Sequence, residues 1–370
     1  MLCIGEDIRA PDVLLDAEEG LAQVSQPIAG LNQPVRTLLT SKMNSERVAA
    51  CLIQHGCNDI TTSLDLQYCN LHPSTKGGFG AIYQGFLKDG RSVAIKCIES
   101  LNSYEMNFAG YGKTLKRAAR EIYTWSHCDH QGILPILGFA HFRGQITLVT
   151  PWMRAGSLNY QILRGLSPPP LQTCIQLAVT VEYLHSNGIV HGDIKPDNIL
   201  VADQGQIKLA DFGSAISTLI TTLNFTRTCS FNFTTRFAAP EVLKEENRTF
   251  TKESDVYALG MTMLNIMTGQ APFADKGEVS VIIAVINKGQ PSRPDFAGSL
   301  QGDMTRAKMW DLLKWCIAYE PKDRPKVGQV KEALIEIEKL NGALTGKVRA
   351  EDNQRDKSTL PVDVWEQDGF

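Results

Sequence analysis

Apolar and polar positions follow two different periods along this chain, and the change of period divides it. From about Leu64 to residue 151 the apolar runs are short and bounded by glycine or polar clusters, which is the pattern of strands. Glycine-rich residues 77–80 lie between two such runs, and the apolar run Val93–Lys96 follows. Gly112–Ser126 reads as a helix rich in Lys and Arg, and Gln145–Thr150 as a further strand. After Pro168–Pro170 the period becomes helical. In Leu171–Ser186, Ile175, Ala178, Val179 and Tyr183 share one face. Ile199–Ala202 and Ile207–Ala210 are strand-like, and helical patterns dominate from Ser254 onward. The last runs through Val327, Val330, Leu334, Ile337 and Leu340, with Pro325 before it and Gly342 as its expected stop. Residues 214–238 are rich in Ser and Thr and carry only two charges, Arg227 and Arg236. A surface loop of that length inside a compact domain usually has a function.

These elements predict an α+β chain with two lobes, a small β-rich front lobe with one main helix and a larger, mostly helical rear lobe. The expected core spans residues 63–342, divided near residue 151. Residues 1–62 form an N-terminal extension without a legible role. Within it Ser45 is the expected cap of a short helix running to His55, with Gly56 as its stop. Residues 343–370 are polar and read as a mobile tail.

Composition narrows the function. Lys and Arg total 37 against 40 Asp and Glu, a net charge of −3, which excludes a broadly basic nucleic-acid binder. Hydrophobic content of 43% supports a sizeable core. No apolar stretch approaches the ~20 residues of a membrane span. The first residues lack the basic and apolar regions of a secretory signal. Nine cysteines without a Cys-x-x-Cys pair read as reduced thiols. The expected location is therefore cytoplasmic, with the nucleus open.

Candidate chemistry begins at Thr75-Lys76-Gly77-Gly78-Phe79-Gly80-Ala81-Ile82. Glycines there permit close backbone approach to phosphates, although any flexible hairpin has the same look. Lys96 ends the apolar run Val93-Ala94-Ile95-Lys96, an odd position for a solvated charge; a phosphate or a buried acid accounts for it. Glu121 on the following helix is the natural acid, whereas Glu105 lies in an irregular segment. The densest cluster is His191-Gly192-Asp193-Ile194-Lys195-Pro196-Asp197-Asn198, followed by apolar Ile199-Leu200-Val201. Beyond it, Asp211-Phe212-Gly213 sets an acid at a strand end, which suits a hard Mg²⁺ ion shared with phosphates. His127, Cys128 and His130 match no common zinc spacing. Met261, Met263 and Met267 read as core, as does Cys97.

Taken in order, these motifs resemble the eukaryotic protein kinase family over roughly residues 64–340. Ala239-Pro240-Glu241, Asp255-Val256-Tyr257-Ala258-Leu259-Gly260 and Asp323-Arg324-Pro325 extend the match. The resemblance implies ATP and Mg²⁺ as cofactors and protein Ser/Thr hydroxyls as acceptors. Gly77, Gly78 and Gly80 would cover the triphosphate, with Ile82 over the adenine. Lys96, held by Glu121, would bind the α- and β-phosphates. Asp193 would orient the attacking hydroxyl and accept its proton, with a pKa kept low by nearby cations. Lys195 would steady the phosphoryl group, and Asn198 and Asp211 would hold the metal. Thr150 matches the gatekeeper, Met153 the hinge, and Ala94 with Leu200 the adenine sandwich. Glu241 and Arg324 resemble the pair tying the loop to the rear helices. Lys195 implies the Ser/Thr class. Trp125, Gly138 and the stretch Trp152–Leu158 are similar to the tyrosine-kinase-like branch.

Two positions depart from the pattern. Thr75 replaces the first loop glycine, and Gly192 replaces the Arg that pairs with a loop phosphate in many kinases. The expectation follows that loop phosphorylation does not switch this chain through Gly192. Replacing Thr226, Thr228, Ser230, Thr234 and Thr235 together should then leave basal activity intact. Two other readings stay open: a pseudokinase scaffold that binds nucleotide weakly, and a small-molecule kinase of the aminoglycoside type.

Overall fold

The computed structural model describes residues 37–40, 42–77, 80–98, 108–217, 223–225, 234–244, 249–296 and 298–358. The first described elements are strand β1 (Thr37–Leu39) and helix α1 (Ser45–Gln54). Asn44, not Ser45, caps α1: its side chain accepts from the Arg47 N–H at 3.0 Å. Asn and Ser cap about equally well, and here Asn44 is the residue with extended backbone. Val48, Ala49, Cys51 and Leu52 form the buried face of α1.

The front lobe is built on strands β2 (Leu64–Asp65), β3 (Thr75–Gly77), β4 (Gly80–Leu87) and β5 (Ser92–Cys97). Helix α2 (Phe108–Ser126) and strands β6 (Gly138–Phe142) and β7 (Gln145–Pro151) complete it. The strands form one antiparallel sheet in the order β2-β4-β5-β7-β6, with β3 paired to β4. Side chains alternate across a strand, and the register uses that alternation. Val93, Ile95 and Cys97 pack with Ala81, Tyr83 and Val149 in a small core on one face. The opposite face carries Ile82 paired with Lys96, and Ala94 paired with Thr150. Gly80 has φ +136°, and a Cβ there would stand 2.0 Å from the Cys97 carbonyl oxygen. Only glycine fits that approach.

The rear lobe runs through α3 (Leu158–Leu163), α4 (Pro170–Ser186), β8 (Ile189–Val190), β9 (Ile199–Val201) and β10 (Ile207–Leu209). It continues with β11 (Ile216–Ser217), β12 (Leu223–Phe225), α5 (Pro240–Leu243) and α6 (Lys252–Thr268). Helices α7 (Glu278–Ile286), α8 (Asp303–Cys316) and α9 (Val327–Ser358) follow. Helix α6 is buried nearly all round, as a central core helix must be. Met261, Met263 and Met267 are fully interior in it, and Cys97 is equally buried in the sheet. Strands β9 and β10 pair antiparallel, as do β8 and β11, while β1 and β12 pair parallel.

Two expectations change. Helix α9 continues through Gly342 to Ser358, so the stretch read as a tail from residue 343 is largely helical in backbone. A glycine weakens a helix by about 1 kcal/mol relative to Ala but does not end it. The stretch 214–238 is not wholly loop, because it contributes β11, β12 and a 3₁₀ turn at Thr235–Phe237. Among the described residues no helix is long and apolar enough to cross a membrane, and seven cysteines carry free thiols.

Candidate active site

The loop after β8 is held by one buried carboxylate. Asp255 of α6 accepts the His191 N–H and the Gly192 N–H, each at 2.8 Å, and meets His185 Nε2 at 2.9 Å. Three polar partners around a buried acid fix the backbone entering Asp193. Gly192 has φ +79°, and a Cβ there would lie 2.8 Å from the Phe250 ring and 2.9 Å from the Ser214 carbonyl oxygen. The departure at this position therefore has a local steric reason, and glycine offers no cation to a phosphate.

Asp193 Oδ2 lies 2.7 Å from Lys195 Nζ and accepts from Asn198 Nδ2 at 2.8 Å. The same Asn198 amide donates to the Asp193 carbonyl at 2.8 Å, and Lys195 Nζ donates to Thr234 Oγ1 at 2.6 Å. Asp193 is only 7% exposed. Burial pushes its carboxyl above the ordinary value, outweighing Lys195 and Asn198, and the charge of Asp211 adds to the rise. This corrects the expectation of a carboxyl kept low by cations: desolvation of the ionised form wins. The result is a better proton acceptor than an exposed aspartate.

Across the cleft, Lys96 Nζ sits 2.8 Å from Glu121 Oε1 and 2.7 Å from Asp211 Oδ1. Burial works against the Lys96 ammonium, yet Asp211 and Glu121 overcome it and hold its pKa above the ordinary range. Burial raises Glu121, and the nearby Asp211 charge adds to this against the opposing pull of Lys96. Burial also acts to raise Asp211, but Lys96 prevails and keeps it below the usual carboxylate value. Asp211 adopts a left-handed backbone at φ +66° and accepts from the Gly213 N–H at 3.2 Å. Phe212 is buried between the rings of Trp125 and His191, with centroids at 5.2 and 5.1 Å. Arg120, the neighbour of Glu121 on α2, donates to the Gly213 carbonyl at 3.1 Å.

The β9–β10 hairpin brings the two expected metal ligands side by side. The Ala210 N–H donates to the Asn198 carbonyl at 2.8 Å, which sets Asn198 beside the residue preceding Asp211. One carboxylate and one carboxamide oxygen are hard donors of the kind Mg²⁺ takes while sharing phosphates. The donor set fits the ion.

The expected nucleotide-lining positions divide among the front-lobe sheet, the hinge with β9, and the β3–β4 turn. Ile82, Ala94 and Thr150 share the sheet face that carries Lys96. Met153 and Leu200 are half-buried against the main core. The hinge joins β9, since the Gly156 N–H donates to the Met153 carbonyl and the Val201 N–H to the Gly156 carbonyl. Gly77 and Gly80 close the β3–β4 turn as a cross-strand pair, and Gly78 lies outside the described residues. Thr75 is an exposed strand residue in β3 paired with Ile82. It has an ordinary negative φ, so its backbone does not require glycine. Behind the site, Arg324 makes a two-pronged bond to Glu241 at 2.6 and 2.8 Å.

The sequence reading missed three contributors. Asp255 enters the sequence reading only as part of a matched motif, although an acid followed by the apolar run Val256–Leu259 is a signal for a buried anchor. Thr234 was grouped with phosphate acceptors, whereas its hydroxyl is bound to Lys195. The five-residue alanine replacement would therefore also remove that bond, while Thr226, Thr228 and Ser230 lie outside the described residues. Arg120 had no assigned role.

Residues 75–334 match the family model described as protein kinase domain. This chain belongs to that family. Among curated relatives, it is 27% identical over 304 residues to the serine/threonine-protein kinase STE20 of Kluyveromyces lactis, covering 80% of this chain and 29% of the relative. It is 31% identical over 267 residues to the mitogen-activated protein kinase kinase kinase ANP1 of Arabidopsis thaliana, covering 69% and 37%. It is 28% identical over 264 residues to human serine/threonine-protein kinase 10, covering 69% and 25%. The chain thus spans well under half the length of these relatives.

Proposed function

We propose that this kinase-family chain transfers the γ-phosphoryl group of Mg-ATP to Ser and Thr hydroxyls of proteins. The observation that carries the reading is the Lys96 ammonium held between Glu121 and Asp211, facing the bonded cluster of Asp193, Lys195 and Asn198. Phosphoryl transfer asks little covalent chemistry of a protein; it asks for in-line positioning and neutralised charge. Asp193 orients the acceptor hydroxyl and takes its proton as the new O–P bond forms. The bond from the γ-phosphorus to its bridging oxygen breaks, and ADP leaves. Lys96 anchors the α- and β-phosphates. Lys195 neutralises charge on the moving group and is itself steadied by Thr234. Asn198 and Asp211 would hold Mg²⁺, which supplies further neutralisation of the phosphates when bound. Ile82, Ala94 and Leu200 supply apolar cover for the adenine, Met153 the hinge backbone, and Thr150 the wall behind it.

The partners are protein substrates rather than nucleic acid, given the net charge of −3. Free thiols at seven cysteines support a reducing, cytoplasmic setting. Gly192, without a side chain, supports activity that does not depend on a loop phosphate at that position. The tyrosine-kinase-like branch rests on Trp125, Gly138 and the hinge sequence. Two of these have structural reasons of their own: the Trp125 indole N–H donates to the Leu134 carbonyl, and Gly138 lies against the Asn58 carbonyl.

The test is transfer of labelled phosphate from Mg-ATP to a library of Ser, Thr and Tyr peptides, with Asp193→Asn as control. Labelling of Ser and Thr peptides by the native chain alone is expected. Nucleotide binding without transfer would leave a scaffold, and transfer to aminoglycosides but not peptides would leave a small-molecule kinase.

A further inference from the structure

Residues 37–63 precede the segment matched by the family model, which begins at residue 75. They nevertheless touch both parts whose placement decides whether a kinase works: the helix carrying the acid that pairs with the lysine, and the stretch after Asp211-Phe212-Gly213. Helix α1 lays its buried face into the core that also contains Leu115, Ala118, Ala119 and Ile122 of α2. Leu52 is 0% exposed, the most deeply buried residue of that face. Just past α1, the His55 ring meets Tyr123 edge-on at 6.1 Å, two residues beyond Glu121. Cys57 Sγ lies 3.2 Å from Ser126 Oγ, at the last residue of α2.

The segment is then fastened to the sheet. The Phe139 N–H donates to the Asn58 carbonyl at 2.8 Å, and the Ile60 N–H donates to the Phe139 carbonyl at 2.9 Å. Gly138 allows this approach, because a Cβ there would stand 2.4 Å from the Asn58 carbonyl oxygen. At its other end, β1 pairs in parallel with β12, Thr37 with Leu223 through Leu39 with Phe225. The single stretch 37–63 therefore reaches α2, β6 and β12.

We infer that residues 37–63 are a built-in positioning brace, with Leu52 as its key side chain, which holds α2 so that Glu121 reaches Lys96. The inference rests on the kinase reading above. Helix α2 presents Glu121 to Lys96 and Arg120 to the Gly213 carbonyl. A shift of this helix breaks both contacts together. Small misplacements at a transfer site are expensive in rate. Helix α1 acts on the opposite side of α2 and touches no reacting group, so its role is indirect. The packing makes the brace a positioning element for turnover rather than for substrate affinity.

The test uses the full chain with Leu52→Ala and Leu52→Met. Turnover, substrate KM and amide hydrogen exchange of α2 and α6 are measured side by side. For Leu52→Ala we expect kcat lower by about 10- to 100-fold, with peptide KM within about twofold. Exchange should speed up across α2 while α6, the central helix, stays as protected as in the native chain. Leu52→Met, similar in volume, should restore kcat. Unchanged kcat in Leu52→Ala overturns the brace, and so does parallel loss of protection in α2 and α6, which would mean general destabilisation. A native chain without transfer activity counts against the kinase reading, while the α2 exchange arm still tests the brace on its own.

Discussion

Two buried charge clusters in this molecule look alike and do opposite things. Around Arg324, whose side chain is 0% exposed, one guanidinium meets one carboxylate, Glu241. Its other donors go to the carbonyls of Ala318, Tyr319 and Glu253, and the cluster is electrically balanced. Around Lys96, one ammonium serves two carboxylates, Glu121 and Asp211, in a cleft where Lys96 keeps 13% exposure. That cluster shares one ammonium between two carboxylates next to Asn198 and Asp193, with Arg117 close enough to act on both. A sealed one-to-one pair holds a fold together; an ammonium shared between two carboxylates beside an opening is placed to exchange partners with an incoming ligand.

The comparison can be broken at its strongest point first. Asp193→Asn should lower kcat by about 10²- to 10⁴-fold, the usual range for loss of a positioned proton acceptor. Its melting temperature at pH 7 should hold or rise. Burial raises the Asp193 pKa, so its ionisation weakens the folded state above that value and the penalty fades as pH falls. A drop in melting temperature alongside lost activity would make Asp193 structural.

Next come the two cations. Lys96→Met should reduce kcat/KM about a hundredfold or more and also lower the melting temperature, because Glu121 and Asp211 lose their shared ammonium. Arg324→Met should lower the melting temperature as well, since a lone buried Glu241 costs about 3–5 kcal/mol. It should leave near-native turnover at temperatures where the variant is folded. Thermal melts and steady-state rates on the same samples separate the two. If Arg324→Met loses turnover as Lys96→Met does at temperatures where it is folded, the contrast drawn above fails.

Smaller effects sharpen the picture inside the cleft. Thr234→Ala should lower kcat by about tenfold through loss of the bond to Lys195, and Thr234→Ser should retain it. Equal rates for all three would reduce Thr234 to a bystander. Finally, the acid limb of kcat/KM should lie above the ordinary aspartate value of 3.8. Activity is present above the Asp193 pKa and lost as pH falls through it. A limb at or below 3.8 would mean that Asp193 is not the titrating acceptor.

Much of this site was legible in the linear chain, because phosphoryl chemistry restricts residue types and their order. Lys96 at a strand end, the Asp193–Asn198 cluster and Asp211 before Phe-Gly are all residues that the fold brings into bonded clusters. Asp193's raised pKa was not legible. It depends on how completely the surrounding lobes exclude water, and counting adjacent cations pointed the wrong way. The Lys195–Thr234 bond was equally hidden, since it joins residues 39 positions apart. The stop expected at Gly342 failed because glycine marks a weak point in a helix rather than an end.

Local pattern by itself determined the periods of strand and helix, the glycine turn at Gly80, the α+β two-lobed layout and the identity of the charged groups. Only the tertiary structure decided that Lys96 meets Asp211 across 115 residues of chain, that Asp255 anchors the loop before Asp193, and that α1 docks on α2. Those contacts join segments remote in sequence. Their formation depends on which buried surfaces fit together, and neither propensity nor periodicity along one segment carries that information.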